Sequence, residues 1–292
     1  MLFETMNNIE SRADRLCSDE ERLLVSRATE LFRRGEKNAV ASSFLTPREQ
    51  RTVFEAVQSL GGRDSLFMWG GYLGAERRKA IFLPSWLREG VPCPYPLFSR
   101  AREEHFLSLL SDYGMTDILS DFIFALELSG SGYAAISHRD WLGSLLGLGL
   151  KRSVLGDICP LGPSATLFCE ETAAQFICEE LRKAGRDTVK AKAVSVGADF
   201  SYERSYDEIV TTVQSPRLDG IIRALLNVSR EEAQSIVSSG AADVNYYTKK
   251  EPDTHLSKGD ILSVRGFGKY IIDQAEGTTR RGRIRLIARK YK

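Results

Sequence analysis

Apolar residues recur along this chain with two periods, and the switches between them mark its sections. Leu23, Leu24, Ala28, Leu31 and Phe32 follow Ser18-Asp19-Glu20-Glu21 at helical spacing, and Gly35 breaks the pattern. Thr46-Pro47-Arg48-Glu49 is a second helix start, with Thr at the cap and Pro in the first turn. Val53, Phe54, Val57 and Leu60 form the apolar stripe of that helix, which Gly61-Gly62 ends. Residues 1–60 therefore read as helical. Residues 65–86 read as two strands joined through Gly74-Ala75-Glu76, and 88–98, with Pro92, Pro94 and Pro96, as a stiff extended linker.

From residue 100 the periods alternate. A helix over 103–113 leads to a strand from Phe122 to Leu128, a turn at Ser129-Gly130-Ser131-Gly132 and a helix from His138 to Leu148. Short strands near Gly156-Asp157-Ile158 and from Ala165 to Cys169 come next, then a helix from Glu171 to Lys183 and a strand from Val189 to Val196. Strand–helix–strand–strand–helix–strand is the order of a ferredoxin-like or RRM-like fold. The strands lack the aromatic-rich R-G-F-G-F-V signature of single-strand RNA readers, so scaffolding or protein contact is expected of this domain.

The last section starts with Leu218, Ile221, Ile222, Leu225 and Leu226, a one-sided helical stripe that leaves Arg217, Asp219 and Arg223 off the core face. Ser229, with Glu232 three residues on, caps a second helix whose buried face is Ala233, Ile236 and Val237. Arg230 stands in its first turn, against the helix dipole. Ser238-Ser239-Gly240 ends it. Val244 to Tyr247 reads as a strand, Lys249-Lys250 as a loop, Gly259-Asp260 as a turn, and Ile261 to Val264 and Lys269 to Ile272 as strands around Arg265-Gly266-Phe267-Gly268. The tail from Arg280 to Lys292 carries seven cations and no acid, alternating with Ile284, Leu286 and Ala288, which predicts a strand with one basic face.

Charge sharpens this picture. The net charge of +1 conceals +6 over residues 217–292 (15 Lys/Arg, 9 Asp/Glu) and −5 over the remaining residues (25 against 30), so a polyanionic partner is expected at the C-terminal end. The five cysteines are odd in number and lack C-x-x-C spacing, and His105, His138 and His255 are scattered. Reduced thiols, no metal site and a cytoplasmic location follow as expectations. Neither a secretory leader nor a membrane span is read in the sequence.

No G-x-x-x-x-G-K-[ST] loop is present, and His138-Arg139-Asp140 lacks the Asn a kinase triplet needs five residues on, where Leu145 stands. The Ser129–Gly132 turn reads as a plain loop. Residues 217–272 resemble the S-four RNA-binding domain, named after a small-subunit ribosomal protein, at Arg217, Leu218, Asp219, Ser229, Arg230, Ala233, Gly240, Val244, Asn245, Gly259 and Asp260. Glu231 and Glu232 replace basic positions usual in that module. Upstream, His138 to Gly149, Lys151-Arg152 and Gly156-Asp157-Ile158 are similar to the central domain of the YlmH family, so the likeness covers most of residues 65–292.

The resemblance implies an α+β protein: a helical N-terminal region (1–62), an RRM-like/ferredoxin-like central domain (63–198) and a C-terminal S-four (αL-type) RNA-binding domain (215–292). It implies a non-catalytic monomer without cofactor that binds rRNA and tRNA on the large ribosomal subunit, with quality-control factors as further partners, during rescue of obstructed subunits. Arg217 and Arg230 lead the expected RNA contacts. Asp219 is expected to orient neighbouring arginines. Arg223, Ser229, Gln234, Asn245, Lys249, Lys250, Arg265 and Lys269 extend the footprint. Two other readings stand beside this one. The first is an RNA-modifying enzyme, pseudouridine synthase-like or methyltransferase-like, targeted by its S-four module, although no Gly-rich adenosylmethionine loop is evident. The second is a protein-interaction adaptor.

Overall fold

The computed structural model describes residues 19–62, 65–84, 121–133, 135–196, 200–278 and 282–291. The expected linker over 88–98 and helix over 103–113 lie outside them. The chain divides into two compact units, 1–202 and 203–292.

The first unit opens with α1 (Asp19–Gly35), β1 (Val40–Leu45), α2 (Pro47–Ser59), β2 (Leu66–Trp69) and β3 (Arg78–Phe82). Thr46 caps α2 in a full capping box with Glu49, as its sequence predicts. The all-helical reading of residues 1–60 is corrected by β1, which pairs antiparallel with β3 in a three-stranded sheet of order β1-β3-β2. Its sequence, Val40-Ala-Ser-Ser-Phe-Leu45, is short and only half apolar, too weak a period to stand out between two helices. Ala28, Leu45, Val53, Phe54, Val57, Leu66, Ala80 and Phe82 close the core between this sheet and the two helices.

Six elements follow in the expected order: β4 (Phe124–Ser129), α3 (His138–Gly147), β5 (Leu155–Leu161), β6 (Ser164–Cys169), α4 (Glu171–Glu180) and β9 (Lys190–Val194). A two-residue hairpin, β7 (Lys183–Ala184) with β8 (Asp187–Thr188), is inserted before β9, where the sequence reading continued α4 to Lys183. The sheet order is β5-β6-β4-β9, antiparallel throughout. Leu126, Leu128, Trp141, Leu145, Leu167 and Ile177 are fully buried between one sheet face and α3 and α4.

The second unit is a six-stranded antiparallel sheet with two helices. Its elements are β10 (Tyr206–Val213), α5 (Leu218–Leu226), α6 (Arg230–Ser238), β11 (Ala242–Val244), β12 (Tyr247–Lys249), β13 (Ile261–Val264), β14 (Gly268–Thr278) and β15 (Ile284–Tyr291), in sheet order β10-β15-β14-β13-β11-β12. The basic tail is a strand, as its alternation predicts. Its partner β10, in register from Tyr206↔Tyr291 to Val213↔Ile284, was not read from the sequence. Leu218, Ile221 and Ile222 of α5 and Ala233 and Val237 of α6 pack on the sheet face formed by Val244, Leu262, Tyr270, Ile272, Leu286 and Ala288.

Candidate nucleic-acid interface

The helix pair of the C-terminal unit carries the first group of candidate residues. Arg217 is the N-cap residue of α5, and its Nε and Nη2 donate to Asp219 Oδ1 and Oδ2 at 3.1 and 3.2 Å. The Asp219 side chain is 6% exposed and that of Arg217 37%. Asp219 also accepts from the Gly220 N–H at 2.9 Å and, across to α6, from Gln234 Nε2 at 3.4 Å. Burial works against ionising Asp219, but the hydrogen bonds from Arg217, Gln234 and Gly220 outweigh it and hold the carboxyl below its usual range. Its hydrogen bond to Asp219 in turn raises the Arg217 guanidinium above its ordinary value. Asp219 thus orients Arg217, and Gln234 is a strut between the helices. Arg217 itself is engaged in an internal ion pair while its side chain stays 37% exposed.

Arg223 and Arg230 are exposed, and no described acid pairs with either. Ser229 accepts from the Glu232 N–H at 3.1 Å, so its hydroxyl is taken up as the helix cap. Beyond α6, the stem of Lys250 lies over Gly240 and the Arg265 N–H donates to Ala241 O at 2.9 Å. Lys250 and Arg265, both exposed, therefore flank the end of α6. Lys249 is half-buried in β12, in place of the expected loop.

Two further candidates lie away from the helix pair. Asn245 lies in the turn between β11 and β12 at φ 51° rather than in a strand. Its Nδ2 donates to Asp260 Oδ1 at 2.8 Å and its Oδ1 accepts from the Ile261 N–H at 2.9 Å. With the Ser257 N–H on Asp260 Oδ2 at 2.6 Å, Asn245 and Asp260 clip two turns together. Lys269 is the second. Its neighbour Tyr270 is buried under the helices, so alternation puts Lys269 on the opposite sheet face, 5.1 Å from the ring centroid of Tyr291 and 5.2 Å from that of Tyr246. The cations do not share one continuous surface. Those on and beside the helices form one group, and Lys269 belongs to another.

In the first unit, the face of the β5-β6-β4-β9 sheet turned away from α3 and α4 is covered. Tyr72 stacks on Phe168 at 5.1 Å and 22°, and Phe200 meets both rings edge-on at 5.4 and 5.6 Å. Phe44, Ala75, Ile123, Ala125 and Cys159 complete the cluster. Gly71 lies so close that a Cβ there would stand 2.3 Å from Phe168 Cδ1, and its φ of 99° also favours glycine. Asp157 pins the covering loop by accepting from Tyr72 Oη at 2.8 Å, the Glu76 N–H at 2.7 Å and the Arg77 N–H at 3.0 Å. The buried Arg77 guanidinium donates to the carbonyls of Leu155, Phe44 and Arg152. Burial lowers its pKa, and burial together with repulsion from Arg77 brings Arg152 down to about 10. Lys79 adds a buried ion pair to Glu170 at 3.1 Å.

The Ser129–Gly132 turn borders a cleft of about 520 Å³ lined by Tyr133, Asp140, Arg186 and Asp187 among others. The Ser131 N–H already donates to Asp187 Oδ2 at 3.1 Å, so a carboxylate occupies the place a bound phosphate would need. Ser137 and Asp140 hydrogen-bond each other at the start of α3, a packing role for the His138-Arg139-Asp140 triplet. Among the described residues no three His, Cys, Asp or Glu gather as metal ligands, and no helix is long and apolar enough to cross a membrane.

Comparison with known proteins bears on these surfaces. A family model described as "Putative RNA-binding domain in YlmH" matches residues 121–197, the span of the covered sheet. Over 86% of this chain and 87% of the relative, the sequence is 29% identical to Ribosome-associated protein quality control protein P2 of Bacillus subtilis (strain 168). Over residues 121–197 the chain is thus similar to the YlmH family. A solved structure, Cell division protein ylmH from Streptococcus pneumoniae, is similar at a TM-score of 0.42 and 17% identity, over 62% of this chain and 94% of that one.

The sequence reading found the helix pair and its exposed cations but missed two features. One is the aromatic cover over Phe168, whose members Phe44, Tyr72 and Phe200 come from distant segments. The other is the ring pair Tyr206–Tyr291, in T-shaped contact at 5.1 Å. The spacing of Arg285, Arg289 and Tyr291, all on one face of a strand, was its available signal.

Proposed function

We propose that this protein is a non-catalytic RNA-binding factor of the large ribosomal subunit, acting in the cytoplasm on obstructed subunits through rRNA and tRNA. The observation that carries this reading is the match, along nearly the whole of both chains, to a relative named for ribosome-associated quality control. The C-terminal helix pair is read as an S-four module. Supporting that reading are a rigid α5–α6 corner, locked by Arg217, Asp219 and Gln234, and the exposed cations Arg223, Arg230, Lys250 and Arg265 around it. Such an array suits phosphates held at fixed spacing on folded RNA, where affinity is electrostatic and salt-dependent.

The 121–197 domain is read as RRM-like, in keeping with its strand order. Its sheet face is already filled by Tyr72 and Phe44, which favours a scaffolding role and leaves RNA contact to the C-terminal unit.

Co-sedimentation with large ribosomal subunits across a salt series tests the assignment. Arg230→Ala and Arg223→Ala are each expected to weaken binding by about 1–3 kcal/mol. Each should also reduce the log–log salt slope by about one. Unchanged binding by both variants at every salt concentration overturns the assignment of this site.

A further inference from the structure

The six-stranded sheet has a second face, opposite α5 and α6. Alternation along the strands puts Tyr206, Glu208 and Val210 of β10, Lys269 and Ile271 of β14, and Arg285, Ile287, Arg289 and Tyr291 of β15 on it. Val210 is 52% exposed, although it sits in the middle of a strand. Register pairs Tyr206 directly with Tyr291, and cations stand against these rings. Arg204 and Lys269 lie 5.8 and 5.1 Å from the Tyr291 centroid, and Arg289 lies 4.9 Å from that of Tyr206. Arg289 is fixed by a two-point pair to Asp273 at 2.6 and 2.9 Å. Lys269 reaches on to Tyr246, which the turn holds at φ 67°. A bulky side chain is rarely placed in that left-handed region, where Gly costs nothing, and such strain persists where a side chain has work to do.

We propose that this face, centred on Tyr206, Tyr291 and Lys269, binds a short unpaired RNA segment. A base stacked on a tyrosine takes the place of the cation there, and the displaced ammonium or guanidinium meets the phosphate of the same nucleotide. Rings interleaved with cations on a sheet provide both halves of that exchange. A protein or lipid partner fits less well, because three cations surround the ring pair against two carboxylates, Glu208 and Asp273, and Asp273 is taken up by Arg289. The proposal rests on the RNA-binding reading above but uses a surface separate from the helix corner.

The test uses the full chain and two fluorescent probes, a 12-nucleotide oligoadenylate and an RNA hairpin without a loop overhang. Tyr291→Ala is expected to weaken the oligoadenylate by about 5- to 150-fold and leave the hairpin unchanged. Tyr291→Phe should retain both, and Arg230→Ala should weaken the hairpin more than the oligoadenylate. Tyr206→Ala, on the neighbouring strand, guards against a Tyr291→Ala variant that fails to fold. Oligoadenylate binding untouched by both alanine variants overturns the proposal. So does a photoreactive residue at position 206 that crosslinks, on ribosomes, to protein and never to RNA. A chain that binds the hairpin but not the oligoadenylate defeats this proposal alone, whereas one that binds neither also defeats the function proposed above.

Discussion

Asp219 is almost wholly enclosed, yet its hydrogen bonds keep it ionised, and that has a pH signature. Its folded pKa lies below the unfolded carboxylate value of about 3.9. Its stabilising contribution is therefore full above that value and is lost as pH falls through the lower folded one. Acid unfolding of the C-terminal unit, followed by circular dichroism, should lose part of its steepness below about pH 4 in Asp219→Asn. Truncation to Ala should cost about 1–3 kcal/mol at neutral pH, by stripping Arg217, Gln234 and Gly220 of their acceptor. Asn245 gives the complementary case. Asn245→Ala should destabilise by about 1–2 kcal/mol through loss of its clip and a strained φ, without changing the salt slope of RNA binding. Residue identity alone did not separate these two from Arg230. All three are motif positions, and only the partners within reach reveal which side chains are spent internally.

The elements were legible wherever one period ran long enough. α2 and α6 carry start signals that the folded chain uses through Thr46 and Ser229, and the 280–292 alternation became β15. β1 and β10 were missed because each owes its strand to a partner. Val40–Leu45 is completed by β3, and Tyr206–Val213, with acids and threonines among its apolar residues, is completed by β15. The strand β6 ends in a chemically quiet thiol. Cys169 is buried, and burial, followed by the neighbouring Cys178 and Glu170, pushes its pKa up to about 12. An aromatic disulfide reagent at pH 8 is expected to label the half-exposed Cys178 in the folded protein and to reach Cys169 only after denaturation, as mass mapping of the adducts would register.

At the scale of the whole molecule, the charge imbalance read from the sequence falls within the second unit, which carries +4 over residues 203–292 (16 Lys/Arg, 12 Asp/Glu). The cover over Phe168 was not legible in the same way. It is assembled from Phe44, Tyr72 and Phe200, and no local pattern announces a contact between segments so far apart. Gly71→Ala forces a methyl group onto the Phe168 ring at a backbone angle alanine disfavours. It should lower the melting of the first unit by several degrees while the C-terminal unit keeps its own transition in calorimetry. The cover also has a practical consequence. A fragment cut to residues 121–197 sheds Phe44 and Tyr72 and lays bare Phe168, Ala125 and Cys159 as a greasy aromatic plate. Such a fragment should self-associate and take up nucleobases or dyes indiscriminately, so affinity measured on it would report the wound left by the excision and not a property of the intact chain.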